Sequence, residues 1–126
     1  MSVTNQLPPS NTHFISVQTA AGMAATYRAQ KENILDSTYR NQDILPLSET
    51  FNRNALDVLL AKTGCEGIRI YYGMDESLKV HAILVGVNEA NEDILPAESL
   101  LTDDDYIAEI GQRCPVNCPP ESDLNN

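Results

Sequence analysis

The chain has 126 residues, 42% hydrophobic and 6% aromatic, with a formal net charge of −10. That size fits one domain with a mostly aliphatic core, and the acidic balance speaks against a nucleic-acid backbone or an anionic membrane surface as partner, because both want clustered Lys and Arg. The plain reading of such charge is solubility.

The opening run MSVTNQLPPSNT is polar and carries a Pro pair, so residues 1–12 are expected to form a flexible arm. Ser16 then offers an N-cap with Ile15 just outside it; a short strand over Thr12–Val17 is the competing reading. From Val17 to Leu35 the spacing of Val17, Ala20, Ala21, Ala24, Tyr27, Ile34 and Leu35 predicts an amphipathic helix. Its Ala-rich first half suits either a crowded core or a close contact with a second copy. After a connection over Asp36–Leu47, Ser48 reads as an N-cap with Glu49 in the first turn. The second helix is expected to run to Lys62, with Phe51, Ala55, Val58 and Leu59 as its apolar stripe and Gly64 as a left-handed C-cap.

Gly67–Val87 organises the chain. It reads GIRIYYG, MDESLK, VHAILVGV: two β-branched and aromatic runs around a polar loop, the pattern of a β-hairpin. The first run alternates, with Ile68, Ile70 and Tyr72 on one face and Arg69 and Tyr71 on the other. The second is apolar on both faces apart from His81, so it belongs inside and the first belongs at an edge. Gly86 marks a bulge or a close backbone approach. The expected core joins Ile70, Ile83 and Val85 to Val58 and Leu59.

NQDILP at Asn41–Pro46 recurs as NEDILP at Asn91–Pro96. Both copies read as an extended Ile-Leu anchor stopped by proline and placed ahead of a helix. After the second copy, Ser99–Leu101 are ambiguous. Thr102 reads as the cap of a short helix with Asp103, Asp104 and Asp105 in its positive first turn and Gly111 at its end. The aspartates do not alternate as ligands of a calcium loop do. The end, RCPVNCPP and an acidic remainder, is expected to be a Pro/Cys-rich tail over residues 112–126, leaving one domain over 13–111.

Chemistry-bearing residues are few. Cys114 and Cys118 in the tail are candidate metal ligands, with Cys65 and His81 as third and fourth, and zinc the metal such a set would take. A Cys114–Cys118 disulfide is sterically possible, and a reducing cytosol disfavours it. Free thiols are the bland alternative. Cys65 follows a helix C-terminus, a poor setting for a nucleophilic thiolate. Arg69, Tyr71 and Tyr72 form a candidate contact surface on the hairpin. No phosphate-binding glycine loop and no catalytic pair stands out by spacing, so the sequence leans away from an enzyme. No apolar run is long enough to span a bilayer, and the first residues lack the pattern of a secretory signal; the expected location is the cytoplasm.

The run GIRIYYGMDESLKVHAILVGVNEANEDIL, together with RCPVNCPP, resembles a group of small uncharacterised bacterial proteins that share this hairpin and a Cys-Pro tail. The resemblance covers roughly the C-terminal half and implies a bacterial cytoplasmic protein, with no catalytic residue attached. The expected fold is α+β, two amphipathic helices on a small antiparallel sheet centred on the hairpin. The expected function is a non-catalytic interaction or self-assembly module, a homo-oligomer or a partner of another protein. The alternative is a small metal- or thiol-dependent regulator acting through Cys114 and Cys118.

Overall fold

The computed structural model describes residues 6–7, 13–97 and 103–126. Among them the fold is α+β: two α-helices and two small antiparallel sheets, one of two strands and one of three. The chain divides into two compact units, Met1–Pro8 with Thr50–Gly73 and Ala82–Gly111, and Pro9–Glu49 with Met74–His81 and Gln112–Asn126.

The first unit is built on the hairpin. Strands β2 (Gly67–Met74) and β3 (Val80–Val87) pair, and β4 (Ile107–Ala108) adds to the far side of β3, giving the order β2-β3-β4. β4 runs antiparallel, with Leu84 opposite Ala108 and Val85 opposite Ile107. The two-sided apolar strand is thus central and the alternating one lies at an edge, as the pattern of each requires. Helix α2 spans Arg53–Leu60 and supplies Leu59 to a core completed by Leu84, Val85 and Val87. Gly86 is the point of closest approach: a Cβ there would stand 2.9 Å from Cys65 Sγ and 3.3 Å from the Leu59 carbonyl.

The second unit holds helix α1 (Val17–Gln30), a single 3-10 turn at Ser37–Tyr39, and strand β1 (Ser48–Thr50) paired with β5 (Gln112–Cys114). Ile44 and Cys114 are its buried apolar side chains. Arg113 ties the unit together: its guanidinium donates to the carbonyls of Val80, Asp43 and Ile44. The Leu47 amide donates to the Cys114 carbonyl at 2.8 Å, and the Tyr27 hydroxyl to the Pro46 carbonyl at 2.7 Å. Desolvation of the half-buried phenol raises the Tyr27 pKa above its ordinary value.

Several local expectations are corrected. Ser16 does cap α1, accepting from the Thr19 amide, but the helix stops at Gln30 rather than Leu35; Ala20, Ala21, Ala24 and Tyr27 of the expected stripe are half-buried, none of its residues is fully buried, and Val17 and Met23 are exposed. Small Ala side chains bury little area, so the stripe that spacing suggests carries little energy. Ser48 starts a strand, and Asn52 is the true cap of α2, accepting from the Asn54 amide. Val58 and Ile70 are exposed and Ile83 is half-buried, so only Val85 and Leu59 of the expected core set are fully buried. Residues 104–106 bend and Ile107 enters a strand, so no helix runs through to Gly111. The proposed cap Thr102 and the Ser99–Leu101 segment lie outside the described residues, as does most of the 1–12 arm. Leu7, which is described, lies against Gly67: a Cβ there would come 3.3 Å from its Cδ1. Gln112–Cys114 begin the expected tail as a strand.

Candidate functional site

Alternation along β2 sends Arg69 and Tyr71 to one face and Ile70 and Tyr72 to the other. On the first face the partner is supplied by the NEDILP segment. Asn91 takes a left-handed φ of 66°, which Asn tolerates better than most residues, and turns the chain back. Asp93 then bridges to Val87, and the Ile94 amide donates to the Gly86 carbonyl at 2.9 Å. This fixes the Asp93 carboxylate beside β2. Arg69 forms an ion pair with it through Nη1 and reaches the Asn91 carbonyl and side-chain oxygen through Nη2. The Tyr71 hydroxyl donates to the other Asp93 oxygen. Hydrogen bonding to Asp93 raises the Tyr71 phenol above its ordinary pKa and raises that of Arg69 as well. The first face of β2 is therefore satisfied within its own unit.

The second face is not covered in this way. Ile70 is 51% exposed and Tyr72 77% exposed. β2 is also the outer strand of its sheet, with no strand among the described residues paired to its far side. Of the three contact candidates, the structure thus gathers Arg69 and Tyr71 into an internal network and turns Tyr72 outward.

The NQDILP copy solves a related problem at the other end of β3. Asn41 is again left-handed, with φ 62°, and the Ile44 carbonyl accepts from the Val80 amide at 2.7 Å. Ile44 is buried in its unit. The two copies differ at the aspartate: Asp43 is itself left-handed, with φ 57°, whereas Asp93 bridges to a strand. The role of Asp93 was legible only as a repeat; nothing local marked it as the partner of Arg69.

The four candidate metal ligands do not gather. Cys114 and Cys118 are joined by a disulfide, with Cα atoms 4.5 Å apart. Cys65 belongs to the other unit, where its thiol lies 3.3 Å from the Gly67 carbonyl. His81 Nε2 lies 2.7 Å from Asp75 Oδ2 at the hairpin turn. Among the described residues no group of three or more His, Cys, Asp or Glu side chains is arranged to hold a metal ion. Oxidation of the pair accounts for part of this, since a bonded sulfur is no thiolate ligand. No described helix is long and apolar enough to cross a membrane.

Comparison with protein-family models, with curated proteins and with solved structures finds no match to this chain.

Proposed function

We propose that this chain is a non-catalytic protein-interaction module that assembles with copies of itself through the outer edge of β2. The observation that carries this reading is the edge position of β2 combined with the exposure of Ile70 and Tyr72 on one of its faces. An unpaired strand edge offers a row of amides and carbonyls, and adjacent apolar side chains reward its cover. The Arg69–Asp93–Tyr71 network supports the reading from behind, because it holds the strand in one conformation before any contact forms. Arg69 and Tyr71 flank the contact, and Tyr72 sits in it. Nucleic acid stays an unsuitable partner on charge alone. Kinship with the small bacterial proteins of the IYYGMDE…LVGVN pattern belongs to the same proposal. Sedimentation at two concentrations tests it: mass should rise with concentration, and Tyr72→Glu should stay a single chain with an unchanged circular dichroism spectrum. A native protein that remains a single chain at the higher concentration contradicts the proposal.

The Cys114–Cys118 disulfide favours a second reading, a thiol-dependent regulator. Cys114 is buried in β5 and Cys118 is exposed, so an external dithiol would attack at Cys118. Reduction would release the constraint on the strand that pairs with β1. A cytoplasmic chain would hold such a bond as a transient redox pair; a lasting one fits an oxidising compartment. Thiol labelling of the unreduced protein should find Cys65 alone, and labelling of all three cysteines would sink this reading.

A further inference from the structure

Strand length decides what the outer edge of β2 can pair with. β2 has eight residues, whereas β4, at the other edge of the same sheet, has two, and β1 and β5 of the second sheet have three each. β3 is as long as β2 but is enclosed between β2 and β4. Among the described residues the edge that matches β2 along its length is therefore another β2. Alternation fixes which of its groups are on offer. At the turn the Asp75 amide donates to the Lys79 carbonyl, while the Val80 amide and the Gly86 carbonyl bond to Ile44 and Ile94 instead. The odd-numbered residues of β3 thus face β2, and the even-numbered residues of β2, among them Ile68, Ile70 and Tyr72, turn amide and carbonyl outward. β2 carries no Asp or Glu, and Arg69, its one charged residue, is paired with Asp93.

We infer that the β2 contact is a two-fold pair: two copies of β2 run antiparallel about an axis at Tyr71, and the assembly closes at two subunits. This rests on the self-association proposed above. A contact between a strand and its own copy uses the same edge on both sides, so it closes at two and does not propagate into a filament. Outward groups must meet outward groups, so even-numbered residues oppose even-numbered ones and the axis passes through a residue position. An axis at Arg69 sets that residue opposite its own copy, which like charge opposes. An axis at Ile70 places Tyr72 opposite Ile68, which is already half-buried. An axis at Tyr72 runs the ladder off the strand into the turn at Asp75. The Tyr71 axis keeps the ladder within β2 and sets Ile70 of each copy opposite Tyr72 of the other. It also sets Tyr71 opposite its own copy, an aromatic pair, and Arg69 opposite Gly73. The exposed run Ile70–Tyr72 is then covered as a whole.

The test uses the full chain in two measurements. Sedimentation of the native protein should show a mass that climbs to twice that of one chain and stops. The second uses Ile70→Cys and Tyr72→Cys, each made in a chain that also carries Cys65→Ala, so that the new thiol is the one free cysteine beside the Cys114–Cys118 disulfide. Both positions are exposed, so folding is preserved. In the Tyr71 register the two positions stand about 5.5 Å apart at Cα across the axis, within the span of a disulfide. Each stands about 7–8 Å from its own copy, beyond that span. Mild oxidation should therefore link the two variants when they are mixed and neither when it is alone. A mass that keeps rising past two chains would overturn the inference while leaving self-association intact. So would a mass that stops at two with no link in the mixture, or a link formed by Ile70→Cys alone, which would move the axis. A native chain that stays single at every concentration would instead remove the self-association itself, and this inference with it.

Discussion

Leu78 occupies the left-handed position of the hairpin turn, with φ 66°, where a Cβ costs roughly 1–2 kcal/mol and glycine is usual. Its amide donates to the Asp75 carbonyl at 2.9 Å, and Asp75 Oδ1 accepts from the Ser77 and Lys79 amides. The aspartate thus holds a turn that the leucine strains. Leu78→Gly should raise stability by about 0.5–1 kcal/mol, the relieved strain less the entropy that glycine adds to the unfolded chain, read as a higher urea midpoint at unchanged slope. Asp75 also sets a pH dependence. The hydrogen bond accepted from the His81 ring, then that from the Lys79 amide, holds its carboxyl below the ordinary range. A depressed folded pKa contributes stability that is present above the unfolded value of about 4 and is lost as pH falls through the folded one. Asp75→Asn should therefore destabilise the protein near neutrality and flatten the acid limb of the melting-temperature profile below about pH 4. An unchanged acid limb would show that the turn contributes nothing.

Among the elements, the hairpin was legible because its two strands carry different periodicities, and that difference alone ordered them as edge and centre. Gly86 was legible for a related reason: a glycine inside an apolar strand marks a neighbour that comes too close for a side chain. Gly86→Ala should cost about 1–3 kcal/mol, because its Cβ meets Cys65 Sγ and the Leu59 carbonyl. Cys65→Ala in the same chain should restore part of the loss by removing the sulfur, while the carbonyl remains; chemical denaturation of the single and double variants measures both. The boundaries of α1 and α2 were less legible. Spacing gave α1 an apolar stripe made largely of alanine, which propensity alone explains. Ser48 and Asn52 are both good caps four residues apart, and the pairing of β1 with β5 decides between them. That partner lies more than sixty positions along the chain and leaves no local trace. β4 is invisible for the same reason: three consecutive aspartates suit a helix start, and only the register against β3 turns Ile107 and Ala108 into a strand.

For the molecule as a whole, self-association must work against a net charge of −10 on every copy. Added salt screens that repulsion over a Debye length that shrinks to about 3 Å at 1 M, so a contact built from β2 amides, Ile70 and Tyr72 should strengthen as salt rises, opposite to a contact built on ion pairs. The assembly claim itself is tested most directly by residue-resolved hydrogen exchange of the native chain across a range of protein concentrations. Amides of β2 that face away from β3, in the Ile68–Tyr72 stretch, should exchange more slowly as concentration rises, while those of α1 keep their rates. Exchange of the β2 amides that does not depend on concentration would contradict the account.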